Sequence, residues 1–236
     1  MSTSVQRLKK LQNKKLWKPE EIIQILDIEY SRPPQQISKS PIFELILTVL
    51  SQHTSDHNSG EAMHHLLKVF PTWQSVLNSP VHVLEDAIRP GGLAPTKSKR
   101  IHQILKDIKR LQPDFNLGFL ADEPLEEART WLTSLPGVGP KTAACVLLFA
   151  LGRPALPVDT HVERVSKRLG LVPLQMNAEK AHILLEKSVK PKDVYAYHMD
   201  LIQHGRRTCN ARKPKCNQCV LIKKCPRNGV PITFLS

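Results

Sequence analysis

A lysine at the start of an apolar helix is the first residue of this sequence with clear chemical potential. Lys141 lies in LPGVGPKTAACVLL (residues 135–148), after two glycines and a proline and directly before an apolar run. Glycine suits a tight turn because it adopts positive φ at little steric cost. Pro140 suits the first position of a helix, where its missing N–H is no loss. The pattern predicts a turn over Gly137 and Gly139 and a buried helix with Lys141 in its first turn.

The predicted position of Lys141 is a poor one for a cation. Unpaired N–H groups and the positive end of the helix dipole favour anions there. These effects and partial burial disfavour the charged form of the amine. An uncharged amine is a nucleophile that forms a Schiff base with a carbonyl carbon. The alternative is that Lys141 stays charged and contacts a phosphate group of a nucleic acid.

Asp159 is the carboxylate that the sequence offers as a partner for this chemistry. It stands before a helical pattern in PVDTHVERVSKRLG (residues 157–170). A carboxylate near the reacting atoms accepts a proton or stabilises a developing oxocarbenium ion. The structural alternative is helix capping, by Asp159 itself or by Thr160 and Glu163, which have the spacing of a capping box. The two roles are compatible, because a capping carboxylate has a fixed position.

Four cysteines lie within seventeen residues near the C-terminus, in the order Cys209, Cys216, Cys219 and Cys225. Four thiolates this close in sequence are able to surround one metal centre. Disulfides are disfavoured because the sequence shows no secretory signal. Cys216 and Cys219 form one closely spaced pair, and Cys209 and Cys225 stand further away along the chain. This spacing favours zinc and an iron–sulfur cluster about equally. The fifth cysteine, Cys145, falls in the predicted buried helix, where a thiol behaves as a small hydrophobe.

Composition favours a polyanionic partner. The net charge is +13, from 34 Lys and Arg against 21 Asp and Glu, and such a charge favours nucleic acid. A generic basic protein is the alternative. No apolar run reaches the roughly 18 residues needed to span a bilayer. We therefore expect no membrane association and a cytoplasmic, nucleoid-associated protein.

The coarse pattern is helical throughout, and we found no convincing strand pair. Apolar helical stripes recur at residues 40–52, 62–70, 98–112 and 123–135. Ser40, before Pro41, is the expected cap of the first of these helices. Proline-rich connections at 31–34 and 152–157 separate a central bundle from two basic terminal pieces, which are expected to form one discontinuous domain.

The stretch TWLTSLPGVGPKTAACVLL (residues 130–148) has the pattern of a helix–hairpin–helix motif. Backbone N–H groups around Gly137 and Gly139 are able to hold a phosphate oxygen, directly or through a bound cation. An ordinary helical hairpin is the alternative, but the full string LPGVGPKTA is much more specific and favours DNA binding.

These features, in this order, resemble the endonuclease III branch of the helix–hairpin–helix DNA glycosylases, over about residues 35–228. The resemblance implies an all-α fold with a six-helix barrel at 35–153 and a discontinuous domain from 1–34 and 154–236, with DNA in a cleft between them. It also favours a [4Fe–4S] cluster on the four cysteines over zinc. The basic N-terminus has no assigned counterpart and is expected only to improve solubility or to bind DNA.

The resemblance implies base excision by a monomer on double-stranded DNA that contains damaged bases or abasic sites. A damaged nucleotide leaves the duplex, Lys141 attacks C1′ of its sugar, and the Schiff base permits β-elimination, with Asp159 assisting. The implied substrates are oxidised or ring-saturated pyrimidines. Two rivals remain: a monofunctional uracil or mismatch glycosylase, and a non-catalytic helix–hairpin–helix DNA-binding module.

The resemblance further implies DNA contacts at the end of the first predicted helix of the bundle. VLSQHTSDHNS (residues 49–59) matches a segment that enters the duplex. The family typically has glutamine where this chain has His53, and Gln52 stands one place earlier. Either His53 is the inserted group or the loop is shifted. Asp56 matches an acidic position of the family, with helix capping as its alternative role.

A second implied insertion lies in GGLAPTKSKR (residues 91–100). Leu93 matches an apolar wedge that fills the gap left by an extruded base, and a core leucine is the alternative. Lys97, Lys99 and Arg100 are expected to face phosphates, or to form the solvated start of a basic helix.

The matching motifs themselves contain four further expected DNA contacts. Gly137, Gly139 and Thr142 belong to the hairpin string, and His161 belongs to the VDTH string that contains Asp159.

Overall fold

The computed structural model of the protein describes residues 16–231, and every regular element within them is helical. The all-α prediction is therefore confirmed for this part of the chain. Most of the basic N-terminal stretch, residues 1–15, lies outside the described residues. No described helix has both the length and the apolar character needed to cross a bilayer.

The α-helices are, in chain order, α1 (Pro19–Tyr30), α2 (Pro41–Ser51), α3 (Asp56–Val69), α4 (Trp73–Asn78), α5 (Val81–Ala87), α6 (Ala94–Leu111), α7 (Leu125–Thr133), α8 (Pro140–Cys145), α9 (Thr160–Arg168), α10 (Ala178–Ser188) and α11 (Val194–Arg207). A π-helical turn, Val146–Ala150, continues α8. Three short 3₁₀ segments bear on the sites below: Arg89–Gly91, Cys216–Gln218 and Ile222–Lys224.

Contacts divide the chain into two compact units. The hairpin unit is residues 35–157, and the cysteine unit, as described, is residues 16–34 and 158–231. The sequence-based division placed the second boundary after residue 153, four residues too early. Residues 154–157 stay with the hairpin unit because Ala155 is fully buried in that unit's apolar core.

The hairpin unit is built around α2 and α6. Helix α2 is apolar on nearly all sides and is buried accordingly, whereas α6 buries one stripe of isoleucine and leucine and leaves most of its charged residues at least partly exposed. The prediction that Ser40 caps α2 is wrong: Ser40 precedes the helix, but its side chain makes no capping hydrogen bond. Pro41 begins the helix instead, which needs no N–H at that position.

The cysteine unit is organised by α11, which packs against α1 and α9. Tyr197 of α11 is fully buried, and its hydroxyl lies 3.0 Å from Ser166 Oγ of α9. The segment after α1 is tied to α11 by Arg32, whose guanidinium donates to Asp200 Oδ2 at 2.5 Å. Burial raises the pKa of Asp200 to about 6 despite this ion pair. These contacts fix the helices that carry Asp159 and the cysteine segment.

Candidate active site and nucleic-acid interface

The turn between α7 and α8 gives its two glycines different conformations. Gly137 has φ of 73°, and a Cβ there would lie 2.5 Å from Arg100 Nε. Gly139 has φ of −92° and ψ of 178°, an extended conformation, and no atom lies within 4 Å of an added Cβ. The prediction of positive φ is right for Gly137 and wrong for Gly139. The open space at Gly139 leaves the backbone at the start of α8 accessible to a phosphate.

We therefore expect alanine to have different effects at the two glycines of this turn. Gly137→Ala is expected to lower the free energy of unfolding by about 1–3 kcal/mol, because it forces a side chain into left-handed backbone and against Arg100. Gly139→Ala is the matched control: it is expected to fold with normal stability and to bind duplex DNA more weakly. Thermal denaturation and DNA titration of both variants check this. Equal stability of the two variants would contradict the assigned turn.

Lys141 lies where the sequence predicts it, half-buried in the first turn of α8. Thr142 is only 5% exposed, so its side chain packs inside the unit. No side chain caps α8. The beginning of the helix thus combines an amine with uncapped N–H groups.

Glu44 is a neighbour of Lys141 that sequence reasoning missed. It lies on α2, where Thr48 Oγ1 donates to its Oε1 at 3.5 Å. Burial raises the pKa of Glu44, and the positive charge of Lys141 opposes that effect. The available signal was a single carboxylate inside the otherwise apolar stretch PIFELILTVL.

The segment after α2 separates Gln52 from His53. Arg100 Nη1 donates to Gln52 Oε1 at 2.6 Å, which holds that side chain against α6. His53 is exposed and has φ of 55°. Capping of α3 is done by Ser55, whose Oγ accepts from Asn58 N at 3.2 Å, so the capping role considered for Asp56 is wrong. Asp56 is exposed in the first turn of α3.

Leu93 is not a core residue. Its side chain is 57% exposed, and it precedes α6 with φ of 50°. A non-glycine residue in left-handed backbone is uncommon and costs energy. The alternative of a core leucine is therefore wrong, and the wedge role stays a prediction.

The three basic residues of the early part of α6 have different environments. Lys97 is 3% exposed, and its Nζ donates to Leu50 O at 2.6 Å and to Gly91 O at 2.8 Å. The prediction that Lys97 faces phosphates is therefore wrong, because its position on α6 falls on the buried stripe. Lys99 is exposed, and Arg100 is the partner of Gln52.

In the cysteine unit, Asp159 is the N-cap of α9. Its Oδ1 accepts from His161 N at 2.9 Å and from Val162 N at 2.8 Å. The capping box predicted from Thr160 and Glu163 is wrong, since Thr160 is already the first helical residue. Glu163 instead pairs with Lys167 at 2.7 Å. The two N–H groups fix the position of the Asp159 carboxylate.

His161 is half-buried beside Asp159. Arg164 Nη2 lies 3.1 Å from its Nδ1. Burial lowers the pKa of His161, although the Asp159 charge opposes this. Burial of the ring therefore favours its neutral form.

Cys209, Cys216, Cys219 and Cys225 line one pocket and form no disulfide. Burial raises the pKa of Cys219 to about 12 and that of Cys225 to about 11, and a backbone N–H opposes the shift at each. Backbone N–H groups directed at sulfur suit thiolates that bind metal. As placed, no group of three or more potential ligands within residues 16–231 is able to hold a metal ion.

Arg168 and His204, which sequence reasoning missed, flank this pocket. Arg168 Nη1 lies 3.3 Å from Cys209 Sγ and donates to Asn210 O at 2.7 Å. His204 Nε2 lies 3.6 Å from Cys219 Sγ. Burial lowers the pKa of His204 to about 4. The signal for Arg168 was only its place three residues after Val165 on the buried stripe of α9, and nothing local indicated its partners.

Comparison with known proteins identifies the family of this helical chain. The chain belongs to the HhH-GPD superfamily of base excision DNA repair proteins, whose family model matches residues 46–191. The endonuclease III resemblance is confirmed, and the protein is a base excision repair DNA glycosylase.

Three similar proteins illustrate the relationship. Endonuclease III of Thermotoga maritima is 35% identical over 194 residues, which cover 82% of this chain and 86% of that protein. A putative DNA glycosylase of Arabidopsis thaliana is 37% identical over 169 residues, and the chain spans only 58% of its length. A solved structure of a trapped covalent intermediate of endonuclease III with DNA matches with a TM-score of 0.77 at 28% identity, over 90% of this chain and 97% of that one.

Proposed function

We propose that the protein is a bifunctional DNA glycosylase and abasic-site lyase in which Lys141 is the nucleophile. The observation that carries this proposal is the half-buried Lys141 amine in the uncapped first turn of α8, next to the open backbone of Gly139.

The proposed reaction begins with a nucleotide extruded from double-stranded DNA. The Lys141 amine attacks C1′, the glycosidic bond breaks, and the base leaves with a proton while the amine loses one. Asp159 stabilises the positive charge that develops on the sugar. Opening of the sugar ring gives a Schiff base between Nζ and C1′. Loss of a proton from C2′ then expels the 3′ phosphate and nicks the strand, and water releases the lysine.

The DNA contacts remain proposals for the two units. In the hairpin unit they are Gln52, His53, Asp56, Leu93, Gly137, Gly139 and Thr142, and in the cysteine unit His161. Because Gln52 is held by Arg100 while His53 is exposed in left-handed backbone, we favour His53 as the inserted group.

The proposed cofactor is a [4Fe–4S] cluster held by Cys209, Cys216, Cys219 and Cys225. The chemistry of the donor set supports it: four cysteines without disulfides line one pocket, and backbone N–H groups point to two of the sulfurs. When bound, the cluster cross-links a segment rich in lysine and arginine. Arg168, which lies beside Cys209, holds this segment in place. The lysine and arginine residues of the segment contact the DNA backbone.

Cluster identity is tested separately from activity. Purified protein is expected to be yellow-brown, with broad absorbance near about 400 nm and about four irons per chain. Cys216→Ser is expected to lose iron, while Cys145→Ser, which changes the cysteine buried in α8, is expected to keep it. Colourless protein with stoichiometric zinc would refute the iron–sulfur proposal.

The proposed substrates are oxidised or ring-saturated pyrimidines in duplex DNA. A panel of single-lesion duplexes, scored separately for base loss and nicking, tests this, with borohydride trapping of the Schiff base. Base loss without nicking would favour a monofunctional glycosylase, and binding without either would favour a DNA-binding module. One chain carries all proposed groups, so the proposed active form is a monomer located with DNA in the cytoplasm or nucleoid.

A further inference from the structure

Lys97 is a buried cation at a junction of three segments of the hairpin unit. Its Nζ donates to Leu50 O in the last turn of α2 and to Gly91 O in the 3₁₀ turn before α6. With 3% of its surface exposed, it has very little contact with bulk water to compensate its charge. The two carbonyl groups therefore take the place of water as hydrogen-bond acceptors for the ammonium group.

A buried ammonium is costly unless it is well hydrogen-bonded. The carbonyl groups at the C-terminal end of a helix lack intrahelical partners and carry the negative end of its dipole. Lys97 satisfies such a carbonyl at the end of α2 with a charge-assisted hydrogen bond, which is stronger than a neutral one. An apolar residue would fill the same space without joining the two segments.

The two carbonyl groups lie at the bases of the two exposed tips of this unit. Leu50 is three residues before His53, and Gly91 is two residues before Leu93. Both tips have left-handed backbone, with φ of 55° at His53 and 50° at Leu93. A strained tip keeps its conformation only where the surrounding structure holds it.

Arg100 extends the same connection one turn further along α6. Its guanidinium holds Gln52 and occupies the space beside Gly137, as the 2.5 Å approach to an added Cβ shows. One face of α6 therefore contacts the segment after α2, the turn before α6 and the hairpin turn.

We propose that Lys97 is a positioning residue that locks the His53 and Leu93 tips together, so that both enter the duplex as one rigid unit when a nucleotide is extruded. This inference rests on the proposed function. Lys97 itself touches no DNA. Its loss lets the two tips move independently, and small misplacements of groups that position a substrate cost up to about 100-fold in rate.

The test compares Lys97→Met with Lys106→Met, the same change at an exposed position of the same helix. Lys97→Met is expected to reduce kcat/KM on a lesion duplex by about 10- to 100-fold. It is also expected to weaken the fluorescence rise of 2-aminopurine placed opposite the lesion, which reports extrusion. Borohydride trapping on single-stranded abasic DNA, which needs no extrusion, is expected to be unchanged. Lys106→Met is expected to match the wild type in all three assays.

The outcomes separate the two proposals. If wild-type protein traps no abasic DNA, the proposed function fails. If the wild type is active and Lys97→Met behaves like Lys106→Met, or loses single-stranded trapping as strongly as duplex activity, the positioning role is overturned.

Comparing single and double variants tests whether the His53 and Leu93 tips are coupled, without changing Lys97. This comparison is the deciding test of the proposal if Lys97→Met does not fold. His53→Ala and Leu93→Ala are measured singly and together for extrusion. Tips that act as one unit give a double variant little worse than the poorer single variant, whereas independent tips give losses that multiply. Multiplying losses would overturn the proposal.

Discussion

Lys141→Gln is expected to abolish the borohydride-trapped adduct with abasic DNA and to lower strand nicking by about a thousandfold or more, since the nucleophile is lost. Glutamine is nearly as long and is uncharged, so the first turn of α8 is expected to keep its structure. Trapping is measured by the shift of the protein band on a denaturing gel, and nicking by cleavage of a labelled strand.

Lys106→Gln, on the exposed side of α6, is the matched control and is expected to trap normally. Duplex binding by Lys141→Gln is expected to persist, because the backbone N–H groups at the start of α8 remain. An adduct of undiminished yield in Lys141→Gln would show that another amine attacks the sugar, and the assignment of Lys141 would be wrong.

Asp159→Asn is expected to lower the rate of base release by about 100-fold or more while leaving the melting temperature nearly unchanged. Asparagine caps a helix about as well as aspartate, so its oxygen still accepts from His161 N and Val162 N, as Oδ1 does in the structure. Only the negative charge is removed. Base release from a lesion duplex and thermal unfolding are the two measurements.

Asp159→Ala tests the structural role of the same residue, which Asp159→Asn leaves intact. It is expected to lose the charge and also about 1 kcal/mol of stability, because two N–H groups of α9 lose their cap. If Asp159→Asn kept full activity while Asp159→Ala lost both activity and stability, Asp159 would be a capping residue alone.

The position and the chemical role of a residue were predictable from the sequence where its near neighbours along the chain determine them. Pro140 before an apolar run fixed the start of α8, and with it the place of Lys141 in the first turn. Asp159 before a helical stripe predicted a cap that the structure confirms. In both cases the deciding groups lie within a few residues along the chain.

Lys97 shows why other features were not predicted. It stands four residues before Ile101 and so falls on the same stripe of α6 as the buried isoleucines. The periodicity indicated burial, but the residue type indicated solvent or phosphate. Its partners are carbonyl groups 47 and 6 residues away. A distant backbone acceptor leaves no trace in local sequence patterns, and the same holds for Arg100 with Gln52 and for Arg168 with the cysteine segment.

Arg168 also has a consequence for how the cysteine segment is held. Its guanidinium holds the residues around Cys209, while Cys225 Sγ and Asn228 N each lie 3.3 Å from its carbonyl oxygen. One residue thus keeps both ends of the segment together. Much of the entropy cost of closing that loop is met by the protein fold itself, so a metal group of the proposed kind would bind to cysteines that the fold already holds in one segment.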